Sequence, residues 1–274
     1  MLVHALMGNP VSSSLSPAIH NFIYSRLGLE AFYVPLQVSP KRLMHAVEVA
    51  REALNGFNVT IPYKAAVIDY LDSVDEEAKL IGAVNAVAVR NGEAVGHNTD
   101  APAIAELIDE RGIKCGSALI IGAGGAARAA LFALRGRCSS VVVADRSRER
   151  GEAMEALARS LGIAVEAIGF AERGSAAARV DLVINATPLG MYVDEDPLDP
   201  SALAVGGPAV IDLAYAREGT RLSRAARAAG LPVVDGLDVL IRQAIKSEEL
   251  WLGRGLVGVA DEDIRRAVVG GGGR

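Results

Sequence analysis

No stretch of the 274-residue sequence approaches the roughly 20 consecutive apolar residues that a membrane span needs, which argues against an integral membrane protein. The N-terminus has no charged segment leading into an apolar run, so a secretory signal is not expected and the chain is assigned to the cytoplasm. Cysteine is scarce. Cys115 and Cys138 are the only two and lack metal-ligand spacing, so two buried thiols are the preferred expectation, with a disulfide between them as the alternative. The histidines, His4, His20, His45 and His97, are equally scattered, which argues against a metal site. Nor is there a long basic stripe. Basic residues are interspersed with acids, as in Arg146-Ser147-Arg148-Glu149-Arg150, within a net charge of −5, and no nucleic-acid partner is implied. No internal repeat is visible. What is present is an ordinary globular composition, 51% apolar, in a chain long enough for two domains with their own cores.

The first hundred residues alternate strand and helix signals. Leu2 to Met7 and Ala31 to Leu36 have strand character, while Pro17 to Leu27 and Lys41 to Ala53 carry helical apolar spacing. Gly56 to Thr60 is a third strand candidate, and Ala83 to Arg90, Asn91-Gly92 and Glu93 to Gly96 form a hairpin pattern. A helix over Ala101 to Arg111 ends at Gly112, a C-cap and the expected crossover between domains. From Ser117 the pattern becomes regular. Ala118 to Ile121, Val141 to Ala144, Leu182 to Ile184, Val210 to Leu213 and Val233-Val234 are short apolar runs separated by helical stretches, as in parallel strands buried on both faces. Leu237 to Trp251 is helical again, and the Gly270 to Gly273 tail is expected to fray. The expected fold is α/β: an N-terminal α/β domain over 1–100 completed by 237–274, and a Rossmann-like doubly wound domain over 101–236.

Gly122-Ala123-Gly124-Gly125-Ala126-Ala127 directly follows the first strand of that regular region and opens a helix. Gly122 permits the tight turn, Gly124 lets backbone approach a pyrophosphate, Ala127 allows close helix packing, and the helix start offers free N–H groups to phosphate. The second strand ends in Asp145-Arg146-Ser147-Arg148-Glu149-Arg150. A carboxylate there suits the ribose 2′-hydroxyl of NAD, whereas arginines with a hydroxyl residue suit the 2′-phosphate of NADP. The sequence contains both. NADP is favoured, with NAD as the alternative.

Upstream, Asn58-Val59-Thr60-Ile61-Pro62-Tyr63-Lys64 and Gly96-His97-Asn98-Thr99-Asp100 place one lysine and one carboxylate among small polar residues. A hydride acceptor needs a cofactor beside it and a proton source for the new alkoxide, so the combination points to an oxidoreductase acting on an alcohol or ketone. The run Gly8-Asn9-Pro10-Val11-Ser12-Ser13-Ser14-Leu15-Ser16-Pro17-Ala18-Ile19-His20-Asn21 sets hydroxyls before a helix expected to begin at Pro17. Hydroxyls beside unpaired N–H groups suit a carboxylate, although serines there also serve as simple caps.

The serine-rich opening, Asn58 to Lys64, Ile81 to Val87, Gly96 to Asp100, Asn185-Ala186-Thr187-Pro188-Leu189-Gly190-Met191 and Gly236 to Gln243 together resemble the shikimate dehydrogenases, in order along nearly the whole chain. The resemblance implies that Ser14 and Ser16 hold a substrate carboxylate. It implies that Asn58, Thr60, Asn85, Asp100, Tyr215 and Gln243 contact ring hydroxyls, with Lys64 as proton carrier and Asp100 beside it in catalysis. Gly122, Ala123, Gly124, Gly125 and Ala126 would take the pyrophosphate. Asp145, Arg146, Ser147 and Arg150 would face the adenosine end, Leu213 and Gly236 the nicotinamide, and Glu76 would lie near the cofactor. It further implies a discontinuous substrate domain and reduction of 3-dehydroshikimate to shikimate by a monomer or homodimer. Four positions depart from the family pattern: Asp145 for asparagine, Ser147 for threonine, and Leu213 and Val239 for methionine. Asp145 bears on cofactor choice, because a carboxylate repels a 2′-phosphate. A quinate/shikimate dehydrogenase using NAD and a non-catalytic shikimate or NADP sensor are the alternatives.

Overall fold

The computed structural model describes residues 1–191, 193, 195–200 and 203–270; beyond Gly270, the tail expected to fray lies outside them. The chain divides into two compact units, Met1–Thr99 with Leu240–Arg274, and Asp100–Val239.

The first unit contains β1 (Leu2–Gly8), α1 (Ser16–Leu27), β2 (Ala31–Gln37), α2 (Leu43–Ala53), β3 (Gly56–Val59), β4 (Ser73–Val74), α3 (Glu76–Ile81), β5 (Ala86–Arg90) and β6 (Glu93–His97). Its sheet runs β2-β1-β3-β5-β6-β4. β1 pairs in parallel with β2 and β3, whereas β5 is antiparallel to β3 and β6, so the sheet is mixed. The β5–β6 hairpin turns at Asn91 and Gly92, both at positive φ (55° and 81°), as a two-residue hairpin loop requires. β5 begins at Ala86 rather than Ala83 because the Val84 N–H donates to the Lys64 carbonyl at 2.7 Å instead of to a neighbouring strand. One face of the sheet packs Ala5, Met7, Phe57, Val59 and Val87 against Leu43 and Val47 of α2.

The second unit contains α4 (Asp100–Glu110), β7 (Ser117–Ile121), α5 (Gly125–Ala133), β8 (Ser140–Asp145), α6 (Arg148–Leu161), β9 (Ala164–Gly169), α7 (Arg173–Ala177), β10 (Leu182–Asn185), β11 (Ala209–Asp212), α8 (Arg221–Ala228) and β12 (Val233–Val234). Its sheet runs β12-β11-β10-β7-β8-β9 and every pairing is parallel. Both faces are buried. Ile120, Val141, Leu182 and Ile184 pack with α4, α5 and α6, while Leu119, Ile121, Val183 and Val210 pack with α7 and α8. That is why these strands read as continuous apolar runs. α9 (Gly236–Leu252) begins in this unit and crosses at Leu240 into the first, which α10 (Asp261–Gly270) completes.

The preferred expectation of two free thiols is corrected: Cys115 and Cys138 form a disulfide, with Cα atoms 4.9 Å apart. Each lies two residues before a paired strand start, Ser117 opposite Ser140. Ser139 N–H also donates to the Gly116 carbonyl at 2.9 Å, so strand pairing itself brings the two cysteines within bridging range.

Candidate active site

In the first unit the site is built where β1 and β3 end together. Asn9 N–H donates to the Ile61 carbonyl and Thr60 N–H to the Met7 carbonyl, each at 2.9 Å. Gly8 is required there, since a Cβ on it would lie 2.3 Å from Thr60 Cγ2. Beyond it, α1 starts at Ser16, one residue before the expected Pro17, with no acidic residue in its first turn. Ser14 Oγ donates to Ser16 Oγ and accepts from Ser16 N–H, both at 3.2 Å. The two hydroxyls therefore lie side by side at a helix N-terminus, an arrangement suited to a carboxylate.

Lys64 follows a pinned turn. Tyr63 N–H donates to the Thr60 carbonyl at 2.9 Å, the buried Tyr63 ring anchors the segment, and its hydroxyl donates to the Val38 carbonyl. The Lys64 carbonyl accepts from Val84, and its side chain is half-buried.

Asn58, Asn85 and Gln243 are buried and joined. Asn58 Nδ2 donates to the Asn85 carbonyl at 3.0 Å and to Ser247 Oγ at 2.9 Å. Asn85 Nδ2 donates to Thr99 Oγ1 at 2.9 Å and to Gln243 Oε1 at 3.4 Å, and its Oδ1 accepts from Thr99 N–H at 2.6 Å. Ser247, which the sequence did not single out, and Thr99 of the Gly96 to Asp100 run close this network at 3.2 Å. Ser247 had a signal available: it lies four residues beyond Gln243 and so on the same helix face. Glu76 is the first residue of α3 and exposed; the cap of that helix is its neighbour Asp75, which accepts from Ala78 N–H at 2.6 Å and pairs with His97 at 2.5 Å.

In the second unit the glycine loop sits at the point where the strand order reverses, between β7 and β10. Gly122 has φ 102°, and a Cβ on it would lie 3.0 Å from Thr187 Cγ2 and 3.1 Å from the Ala186 carbonyl. Gly124 caps α5 without a side chain and faces open space. A loop bare of side chains before Gly125 and Ala126, with buried Ala123 behind it, leaves α5 N–H groups open to a phosphate, at the crevice where such sheets bind nucleotides. The residues present therefore fit a dinucleotide.

At the end of β8 the Asp145 carboxylate turns inward: Oδ1 accepts from Ser147 N–H at 2.7 Å and from Arg150 Nη2 at 2.9 Å. Ser147 Oγ in turn caps α6 through Arg150 N–H at 3.3 Å. Arg146 leaves this group, stacking over the Phe170 ring at 4.7 Å and meeting Glu195 at 3.3 Å. Arg173 covers the same ring at 3.9 Å. The Asp145 charge is thus matched by Arg150, while Arg146 and Ser147 stay at the strand end. Nothing in the sequence pattern marked Phe170.

Gly236 packs against the two chain neighbours of Leu213. A Cβ on Gly236 would lie 2.4 Å from the Ala214 carbonyl and 2.9 Å from that of Asp212, so only glycine lets α9 start against the end of β11. Asp212, another residue that no sequence motif marked, is fully buried and organises this corner. It accepts from Asn185 Nδ2 at 2.7 Å, from Ala214 N–H at 3.1 Å and from Thr220 Oγ1. Burial pushes its carboxyl up to about 6, against the opposing pull of these donors. Tyr215, half-buried, follows in the same loop, and buried Asp100 opens α4. Lys64 and the amide cluster thus belong to one unit, Asp100 and Tyr215 to the other. Among the described residues no group of three or more His, Cys, Asp or Glu could hold a metal, and no helix is long and apolar enough to cross a membrane.

Two family models match the chain: the shikimate dehydrogenase substrate binding domain over residues 6–87 and shikimate / quinate 5-dehydrogenase over residues 104–219. The shikimate dehydrogenase (NADP(+)) of Caldivirga maquilingensis is 42% identical over 255 residues, covering 92% of this chain and 93% of that protein. That of Pyrobaculum islandicum is 41% identical over 252 residues, covering 91% and 92%. Shikimate 5-dehydrogenase from Thermus thermophilus, solved in complex with NADP(H) and shikimate, superposes with a TM-score of 0.83 at 37% identity, covering 98% of each chain. The chain belongs to the shikimate dehydrogenase family.

Proposed function

We propose that this chain catalyses the reversible NADPH-dependent reduction of 3-dehydroshikimate to shikimate in the cytoplasm, as a monomer or homodimer. The observation that carries the proposal is that its relatives at 41–42% identity match it across both units and are NADP-dependent shikimate dehydrogenases. The buried amides and the glycine loop described above give that likeness a chemical basis.

Ser14 and Ser16 bind the substrate carboxylate at the start of α1. Asn58, Thr60, Asn85, Tyr215 and Gln243 orient the ring through its hydroxyls, and the buried amides exclude water from it. Lys64 donates a proton to the ketone oxygen as that carbon is reduced, and takes it back in the reverse direction. Asp100 is the carboxylate partner in that step and holds a ring hydroxyl. Gly122 to Ala126 hold the pyrophosphate, Arg146, Ser147 and Arg150 the adenosine end, and Leu213 with Gly236 the nicotinamide. Glu76 contributes to holding the cofactor. NADPH, when bound, supplies the hydride. Arg146, Arg150 and the Ser147 hydroxyl at this strand end suit a 2′-phosphate, which supports NADP over NAD.

The test is turnover by purified protein with shikimate or quinate, each with NADP or NAD. Fast reduction of NADP with shikimate is expected; preference for quinate or NAD would replace the assignment, and silence in all four would leave a binding protein.

A further inference from the structure

Behind the amide cluster lies a second buried chain of polar groups that the proposed chemistry does not use. Glu248 Oε1 meets His20 Nδ1 at 2.5 Å, and both side chains are completely buried. The His20 ring lies flat on Tyr33, with centroids 3.9 Å apart and planes 4° from parallel. Tyr33 Oη then donates to Asn58 Oδ1 at 2.8 Å. The four residues come from α9, α1, β2 and β3, so the chain ties together most of the first unit.

This arrangement is a poor way to gain stability. His20 Nε2 and Glu248 Oε2 are buried with no hydrogen-bond partner among the described residues, and buried polar atoms left unpaired cost stability. Its effect on Asn58 is specific. Both Nδ2 hydrogens are spent on the Asn85 carbonyl and Ser247 Oγ, and Tyr33 takes one lone pair of Oδ1. The amide can then offer a ligand only the remaining Oδ1 lone pair, which accepts from a hydroxyl and rejects a group that itself can only accept. The Asn85 carbonyl, which can only accept, fixes which end of the Asn58 amide is Nδ2; the Tyr33 hydroxyl holds Oδ1 in place and occupies one of its lone pairs.

Resting on the assignment of Asn58 to the substrate, we propose that Tyr33, braced by the His20–Glu248 pair, is a positioning residue that holds Asn58 Oδ1 in place as an acceptor for a substrate hydroxyl. His20 and Glu248 act through Tyr33 and do not touch substrate. The role belongs to ground-state binding, so it should show in KM rather than in kcat.

A double-mutant cycle of Tyr33→Phe and Asn58→Ala, read as kcat and KM for shikimate oxidation with folding checked by thermal melting, tests it. Tyr33→Phe is expected to raise KM by about fivefold with kcat within about twofold, the scale of one hydrogen bond. Asn58→Ala should raise KM at least as much, and the double variant should be no worse than Asn58→Ala alone. Should Tyr33→Phe fold poorly, His20→Gln, which removes the stacked ring and can still bond Glu248, replaces it in the same cycle. An unchanged KM in Tyr33→Phe, or a penalty of equal size in the Asn58→Ala background, overturns the positioning role and leaves Asn58 as a substrate contact. A wild-type KM in Asn58→Ala overturns the contact itself, and the positioning role with it.

Discussion

Asn58 and Ser247 are 189 residues apart in sequence, yet Asn58 Nδ2 donates to Ser247 Oγ at 2.9 Å in the buried centre of the first unit. The last long helix therefore supplies polar groups to a sheet built from the opening residues, through Gln243, Ser247 and Glu248 on adjoining turns. Ser247→Ala leaves one Asn58 hydrogen without its partner and removes one of the two hydrogen bonds of the Thr99 hydroxyl. Loss of about 1–3 kcal/mol in denaturant unfolding is expected, together with a higher KM for shikimate; a variant as stable as the wild type would show that the network is not closed through this hydroxyl.

Lys64 and the serine pair should separate kinetically. Lys64→Ala removes the proton carrier, so kcat is expected to fall by about 10²–10⁴-fold with little change in KM. Ser14→Ala or Ser16→Ala removes one donor at the start of α1, so KM should rise while kcat stays near wild type. Steady-state kinetics of the three variants distinguishes these outcomes, and equal KM effects in all of them would mean that the roles are misassigned.

Asp145 supplies a test of cofactor choice. Its carboxylate holds Arg150 and the Ser147 N–H, and asparagine can still accept from Ser147 while releasing the charge of Arg150. In Asp145→Asn, KM for NADP is expected to fall by about two- to threefold, the scale of one exposed ion pair, and KM for NAD to stay or rise. An unchanged KM for NADP would place Asp145 out of reach of the 2′-phosphate.

The Asp212 carboxyl gives stability a pH dependence of known sign. Its pKa in the folded protein is raised from 3.8 to about 6 by burial, so between those values the native state holds a proton that the unfolded chain does not. The stability it contributes is complete below about pH 4 and is lost as pH rises through 6, by an amount on the order of 3 kcal/mol. Asp212→Asn can keep the bonds to Asn185, Ala214 and Thr220 and should remove that component. Melting curves of both proteins from pH 4 to 7 are expected to diverge; parallel curves would show that Asp212 keeps an ordinary carboxylate pKa.

The Cys115–Cys138 bridge encloses β7, the glycine loop and α5. Closing a loop of this length stabilises by about 3 kcal/mol in the chain-entropy description. Reduction, or substitution of both cysteines by alanine, should lower the melting temperature of the protein without altering the order of cofactor preference. No shift on reduction would mean that the bridge adds nothing to the folded state.

The second unit was the more legible of the two. Its strands are buried on both faces, so each appears as an unbroken apolar run, and the glycine loop falls between β7 and α5 as the spacing implied. Of its described strands only β9, Ala164–Gly169, escaped notice; it is an edge strand, and its alternate residues face solvent. In the first unit β4, α3 and α10 were missed, β4 and α3 because they have two and six residues, too few for a period to show. Asn58, Asn85 and Gln243 carried a recognisable motif context. Tyr33, His20, Glu248 and Asp212 did not, because their importance comes from pairings across long sequence separations, and local pattern carries no record of those.

The most direct test is cofactor reduction by the purified protein with shikimate and NADP, followed in the near ultraviolet, across pH 7 to 10. Shikimate oxidation releases a proton and Lys64 must accept one, so the expected result is rapid NADP reduction that increases toward alkaline pH, with quinate and NAD much poorer. No reduction with any pairing of shikimate or quinate with NADP or NAD, at any pH, would contradict the assigned activity.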